Sequence, residues 1–160
     1  LLIISGCSKI SESPKSISKN DVNSETEFQL NDIDGNIVNI ADYRGKPLVL
    51  KFWASWCPIC LASLDETEEL SSDKNKNFEL VTVVSPDYKN EKSEDDFTEW
   101  FKTLGADEST VLLDNEGELA KKLSIRVVPT FVYYDEDGEF VKIVPGQADK
   151  ETIQKNINEL

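Results

Sequence analysis

Histidine is absent from all 160 residues. Without an imidazole there is no Ser-His-Asp or Cys-His nucleophilic machinery. Zinc, copper and haem sites that rely on His ligands are excluded as well. Cysteine is scarce: Cys7, Cys57 and Cys60 are the only three. One chain cannot build a four-thiolate zinc site from them, and a structural zinc site takes four ligands, so no metal and no cofactor is expected. Positive charge is also in short supply, with 17 Lys and Arg against 31 Asp and Glu and a net charge of −14. Residues 1–24 hold three lysines and two acids, a balance of +1, so residues 25–160 carry −15. Such a surface disfavours nucleic acid and anionic lipid headgroups, and otherwise aids solubility. No internal repeat is visible. At 39% hydrophobic, the chain has the make-up of one ordinary globular domain with a good core.

The informative stretch is Lys51-Phe52-Trp53-Ala54-Ser55-Trp56-Cys57-Pro58-Ile59-Cys60. An apolar run from Pro47 to Phe52 leads into it, and Leu61, Leu64, Glu68 and Leu70 follow at helical spacing. The simplest reading is a buried strand, a tight turn, and a helix that opens at the cysteines and runs to about Leu70. Pro58 suits the first helical position, where its missing N–H is no loss. Unpaired N–H groups and the positive end of the helix dipole at this place favour a thiolate on Cys57. They lower its pKa below the free value of roughly 8.5, and the thiolate is the nucleophile in disulfide exchange. Cys60, three positions on, shares the same helical face and lies within reach of a disulfide. It is expected to be the less exposed of the two, which suits it to resolving a mixed disulfide formed by Cys57. A C-x-x-C pair at the start of the helix in a βα unit reads as a redox motif.

The rest of the chain supports one α/β domain. Thr26 to Leu30 and Ile37 to Ile40 alternate around Asp34-Gly35, a hairpin signal. Phe78 to Val84 is a second buried strand, and a strand–helix–strand order implies a parallel crossover. Ser85 to Asp95 is a polar loop expected near the cysteines. Glu94 to Leu104 is an amphipathic helix with Phe97, Trp100, Phe101 and Leu104 on one stripe. A short strand at Val111–Leu113 and a short helix at Glu118–Leu123 precede Ile125-Arg126-Val127-Val128-Pro129-Thr130-Phe131. A hairpin through Asp137-Gly138 follows, and a helix over Asp149–Leu160 closes the chain with Ile153, Ile157 and Leu160 inward.

The W-x-x-W-C-x-x-C run at Trp53–Cys60, followed at this distance by Val128-Pro129-Thr130, resembles the thioredoxin superfamily. More narrowly it is similar to the extracytoplasmic thiol-disulfide reductases of the TlpA and ResA type. The resemblance covers residues 28–160. It implies a thioredoxin fold with an N-terminal β-hairpin extension and a mixed central sheet flanked by helices. The hairpin and Ala41–Pro47 resemble the addition characteristic of the TlpA-like branch. Carried over by position, Cys57 is the attacking and Cys60 the resolving cysteine. Trp56, Pro58 and Ile59 contact substrate beside them. Val128, Pro129 and Thr130 match the cis-proline loop that pairs with a substrate segment and blocks metal binding; a trans proline at a strand start is the plain alternative. Asp87 is the nearest match to an acid that tunes ResA-like sites. Lys51 departs from the pattern, because cytoplasmic thioredoxins usually carry a buried Asp there. Either Lys51 lies under the cysteines and favours thiolate, or it snorkels from the strand end to water.

Leu1–Cys7 reads as the end of an export signal, an apolar stretch closing on small residues. Ile4-Ser5-Gly6-Cys7 resembles a bacterial lipobox, with Cys7 as the lipidated residue; an ordinary secretory cleavage site is the alternative. Residues 8–25, rich in Ser, Lys and Asn, read as a flexible tether, and residues 26–160 as the folded domain. The expectation is a monomeric extracytoplasmic lipoprotein of a bacterium, anchored to the membrane through Cys7, that reduces disulfides of a client protein. The wording of Lys51–Leu61 is similar to modules that serve surface methionine sulfoxide reductases. The resemblance implies electrons from a membrane thiol carrier of the CcdA or DsbD type. Cytochrome c maturation, disulfide formation in the opposite direction, and a non-catalytic binding module with a structural disulfide remain open. A peroxidase is disfavoured by the lack of a Thr-x-x-Cys motif.

Overall fold

The computed structural model describes residues 28–106 and 111–160. Cys7 and the stretch 8–25 lie outside the described residues. Strand β3 (Leu48–Phe52) is buried at every position, as expected for a strand covered on both faces. It pairs in parallel with β4 (Glu79–Val84) and antiparallel with β6 (Thr130–Tyr134). β5 (Val111–Leu113) lies parallel to β4. β1 (Gln29–Asp32) and β2 (Ile37–Asn39) form the expected hairpin, which adds to the far side of β5 through antiparallel β1. β7 (Phe140–Pro145) borders β6. The result is one mixed seven-stranded sheet in the order β2-β1-β5-β4-β3-β6-β7.

Strand alternation divides the core. Leu48, Leu50 and Phe52 point to the face shared with Val81, Val83, Leu112, Val132 and Tyr134. Leu119, Ala120 and Leu123, on and just after helix α4 (Glu118–Lys122), cover that face with Leu30 and Ile40. Val49 points the other way, to Leu80, Phe131 and Tyr133. Leu70 of α2 (Leu64–Ser72) and Ile153 and Ile157 of α5 (Lys150–Asn158) close that side. A third cluster forms where β3 ends. There Trp53 packs on Phe97, Trp100 and Phe101, with ring centroids 5.8–6.5 Å apart. All three belong to α3 (Glu94–Lys102), so Trp100 serves the core.

Three expectations change. α3 ends at Lys102, and Leu104, expected on its apolar stripe, lies beyond it and is 42% exposed. The helix after the cysteines is not continuous to Leu70: α1 (Pro58–Ala62) stops at Ser63, and α2 begins at Leu64. Ser63 has φ −106° and ψ 11°, and its hydroxyl lies 3.1 Å from both the Ile59 and Cys60 carbonyl oxygens. A serine hydroxyl that competes for backbone carbonyls bends a helix. Leu160 does not face inward. α5 ends at Asn158, and Leu160 beyond it is 39% exposed. Among the described residues no helix is long and apolar enough to cross a membrane.

Candidate active site

Cys57 is the N-cap of α1, and the site grows from that position. Its backbone is extended (φ −90°, ψ 106°), its sulfur accepts the Cys60 N–H at 3.3 Å, and Pro58 follows at the first helical position. Cys57 and Cys60 form a disulfide with Cα atoms 5.2 Å apart. The two differ little in exposure, at 5% and 1%. The two differ more in what stands around them. Trp56 and Ile59 flank Cys57 with 50% and 56% of their surface exposed. The Val128 carbonyl oxygen lies 3.9 Å from the Cys57 sulfur.

That carbonyl belongs to the loop carried opposite by β6. The Val128–Pro129 peptide bond is cis, and Thr130 Oγ1 donates to the Val127 carbonyl at 2.7 Å. Of the residues expected to contact substrate, Val128 approaches the Cys57 sulfur through its carbonyl, while Trp56, Pro58 and Ile59 adjoin the two cysteines along the chain. Pro129 and Thr130 are buried, while Val127 is 55% exposed. A groove runs along this edge between the 125–128 loop and the 85–91 loop, with Trp53, Trp56, Tyr88 and Val128 in its lining. Its far wall is held by close packing. Gly117 takes φ 67°, and a Cβ there would overlap the Tyr88 ring.

The tuning candidates part company. Asp87 lies exposed on that loop with φ 58°. The carboxylate bonded into the cysteine turn is that of Glu91, which sequence reasoning did not single out. Glu91 accepts the Ser55 N–H at 2.6 Å and the Ser55 hydroxyl at 2.5 Å. Lys92 reaches the same hydroxyl at 3.0 Å and lies over the Trp100 ring, 5.1 Å from its centroid. Polar Ser55 in an otherwise apolar turn was the one available signal for this clamp. It pins the turn that leads from β3 into Cys57.

Lys51 does not snorkel to water. It is 2% exposed and shares the Val49 face of β3 by alternation. Its ammonium donates to Ser63 Oγ at 3.0 Å and Thr67 Oγ1 at 2.6 Å, and sits 5.8 Å from the Phe131 ring centroid. Burial lowers its pKa from 10.5 to about 8, against a small opposing pull from the Glu66 charge.

Comparison with known proteins places this geometry. The family model described as Redoxin matches residues 21–159. A protein of Haemophilus influenzae is 46% identical over 128 residues, spanning 80% of this chain and 82% of its own length. The thiol-disulfide oxidoreductase ResA of Geobacillus kaustophilus is 27% identical over 137 residues, 84% of this chain and 74% of its own. Among solved structures, the pneumococcal exposed lipoprotein thioredoxin Etrx1 of Streptococcus pneumoniae superposes with a TM-score of 0.78 at 42% identity. That match covers 83% of this chain and 98% of the pneumococcal one.

Proposed function

Because the chain belongs to the Redoxin family and is a thioredoxin-fold thiol-disulfide oxidoreductase of the TlpA and ResA kind, we propose that it acts outside the cytoplasm as a reductant of partner-protein disulfides. The observation that carries this reading is the meeting of Cys57 with the carbonyl of Val128, a residue that lines an adjacent apolar groove together with Trp56. An extended client segment laid beside residues 127–129 would pair with backbone groups there. It would also bring its own disulfide to the sulfur. Trp56, Ile59 and Val127 supply exposed apolar surface for such a segment.

The reduced protein works in two exchanges. The Cys57 thiolate attacks one client sulfur, the client S–S bond breaks, and the other client sulfur leaves as thiolate. Cys60 then loses its proton and attacks the Cys57 sulfur. The second client sulfur departs and the Cys57–Cys60 disulfide forms. Two electrons pass to the client, and a membrane thiol carrier of the CcdA or DsbD type restores the dithiol. Ile4-Ser5-Gly6-Cys7 supports a lipid anchor at Cys7, with residues 8–25 as tether to a monomeric domain. The name of its relative Etrx1, an exposed lipoprotein, points the same way. The Lys51–Leu61 wording supports an extracytoplasmic methionine sulfoxide reductase as client.

Cys60→Ser should arrest the cycle at the mixed disulfide, since the resolving thiol is gone. Mixed with an oxidised methionine sulfoxide reductase, this variant is expected to give a dithiothreitol-sensitive conjugate that Cys57→Ser does not form. Equilibration of wild type against dithiothreitol should give a potential near the thioredoxin end, about −250 mV or lower. A value near roughly −120 mV would reverse the direction and make the protein a disulfide-forming oxidant. A conjugate with a cytochrome c maturation component, and none with the sulfoxide reductase, would reassign the client.

A further inference from the structure

Lys51 is a buried cation whose hydrogen-bond partners are both hydroxyls. Buried charges are ordinarily paired with an opposite charge, so this one calls for a reason. The hydroxyls are already committed as donors. Thr67 Oγ1 donates to the Ser63 carbonyl at 2.7 Å, and Ser63 Oγ donates toward the Ile59 and Cys60 carbonyls or to Gln147 Oε1 at 3.2 Å. Each can therefore only accept from Lys51, and an ammonium, which is donor-only, fits that pattern. Two hydrogen bonds, of 3.0 and 3.1 Å, join its nitrogen through Ser63 to the carbonyl of Cys60 itself. The charge is thus one serine hydroxyl away from the backbone of the disulfide turn.

Other elements packed around Lys51 bring few titrating groups. α1 contributes Cys60 with Cys57 as its cap, and α2 contributes Glu66. β4 places Thr82 opposite Lys51, β6 places Phe131, and the segment before α5 places Gln147. None of these last three ionises. The charge that changes most when the site turns over is therefore that of the cysteines.

We propose that Lys51 is a positioning residue, acting through Ser63, whose proton affinity is coupled to the redox state of the Cys57–Cys60 pair. This rests on the reading of that pair as the exchanging dithiol. In the disulfide form no thiolate is present, and the buried ammonium is held by two hydroxyls, the Phe131 ring and the weak pull of the Glu66 charge. Burial then brings its titration down to about 8. Reduction creates a thiolate on the turn that Ser63 links to Lys51, and an opposite charge there favours the protonated amine. Above that pH, a donor dithiol that reduces the pair gives up two electrons and two protons and closes its own S–S bond. One proton goes to Cys60, one goes to the Lys51 amine, and Cys57 is left as thiolate. When the client is reduced the flow reverses: Cys60 and Lys51 each release a proton, and the two departing client thiolates take them up through solvent. The cation also favours ionisation of Cys60, which is 1% exposed and otherwise hard to deprotonate in an apolar setting.

The test is a lysine ¹³Cε NMR titration of the full chain in both redox states. The Lys51 signal, assigned by its absence from Lys51→Arg, is expected to titrate near 8 when oxidised and higher by about one pH unit or more when reduced. Equal midpoints in the two states would overturn the proposal. The equilibrium with dithiothreitol at pH 7 gives a second readout. Lys51→Met should move it about tenfold toward the disulfide, the equivalent of one pK unit, and Lys51→Arg should restore it. An unchanged equilibrium in Lys51→Met would equally overturn the coupling. If Lys51→Met fails to fold, Ser63→Ala replaces it, with the same shift expected in direction. Wild-type reduction of insulin by dithiothreitol separates the two ideas. No turnover there sinks the exchange reading, whereas turnover with a redox-independent Lys51 sinks only the coupling.

Discussion

A single lysine shows how residue-scale energetics and function pull against each other. Lys51 occupies a strand position where an apolar side chain would bury at no electrostatic cost. The folded oxidised protein holds its pKa near 8, below the 10.5 of an unfolded chain. Below pH 8 both states are protonated, and the full cost of burying the charge is present. Between about 8 and 10.5 the unfolded chain binds the proton and the folded one does not, so stability rises with pH through that window. Lys51→Met removes the cost. The oxidised variant should therefore melt several degrees higher than wild type at pH 7, with the gap closing as pH approaches 10. Thermal unfolding followed by circular dichroism across pH 6.5–10 would check this. A variant less stable than wild type at pH 7 would show that the Ser63 and Thr67 contacts outweigh desolvation. Gaining stability while losing redox tuning is the trade expected at functional positions.

At the scale of elements, short helices here depend on side chains for their ends. α4 has only five residues and carries Gly117 as its N-cap, which offers no side chain. Asp114 does the work from further back. It is 1% exposed, and its carboxylate accepts the Leu119 and Ala120 N–H groups at 2.8 and 2.9 Å and the Ser85 hydroxyl at 3.1 Å. Burial raises its pKa above 3.8 despite those bonds. The same residue thus ties α4 to the start of the 85–91 loop, which forms one wall of the groove. Asp114→Ala strands buried donors, and each such group costs roughly 1–3 kcal/mol. The expected loss is about 2 kcal/mol or more, measured by urea unfolding, with the Cys57–Cys60 potential unchanged. The α1–α2 break belongs to this scale too. Leucine spacing from Leu61 to Leu70 suggests one helix, and only the hydroxyl of Ser63 turned against its own backbone makes it two.

Across the whole molecule, the β1–β2 hairpin lengthens the sheet and covers an edge. β1 pairs with β5 through Asn31–Leu113 and Asp32–Leu112, and it brings Leu30 and Ile40 into the main core at 4% and 1% exposure. Burying each such side chain contributes roughly 1.5–3 kcal/mol. Removal of residues 1–45 would bare β5 as an apolar edge, a template for pairing between chains. The truncated protein should melt at least 5 °C lower and scatter light at micromolar concentration. Soluble protein of unchanged melting temperature would mean that the hairpin is an ornament on a self-sufficient sheet. The acidic surface acts in the opposite sense, since a net charge of −14 keeps copies apart.

Local chemistry is legible in the order of the residues alone. The strand at Leu48–Phe52, the cap at Cys57, the helix start at Pro58 and the hairpin at Asp34-Gly35 each follow from short-range periodicity and turn preference. The redox pair follows from spacing, and the cis-proline loop from a resemblance carried by Val128-Pro129-Thr130. Contacts distant along the chain are not legible in that way. Glu91 reaches Ser55 across 36 positions, Ser63 and Thr67 reach Lys51 across 12 and 16, and Val128 meets Cys57 across 71. Sequence pattern reports which face of an element is apolar, because burial repeats with the period of the backbone. It does not report which polar side chain meets another. That is decided by how the sheet stacks its strands, and a one-residue change of register would send Lys51 to the opposite face.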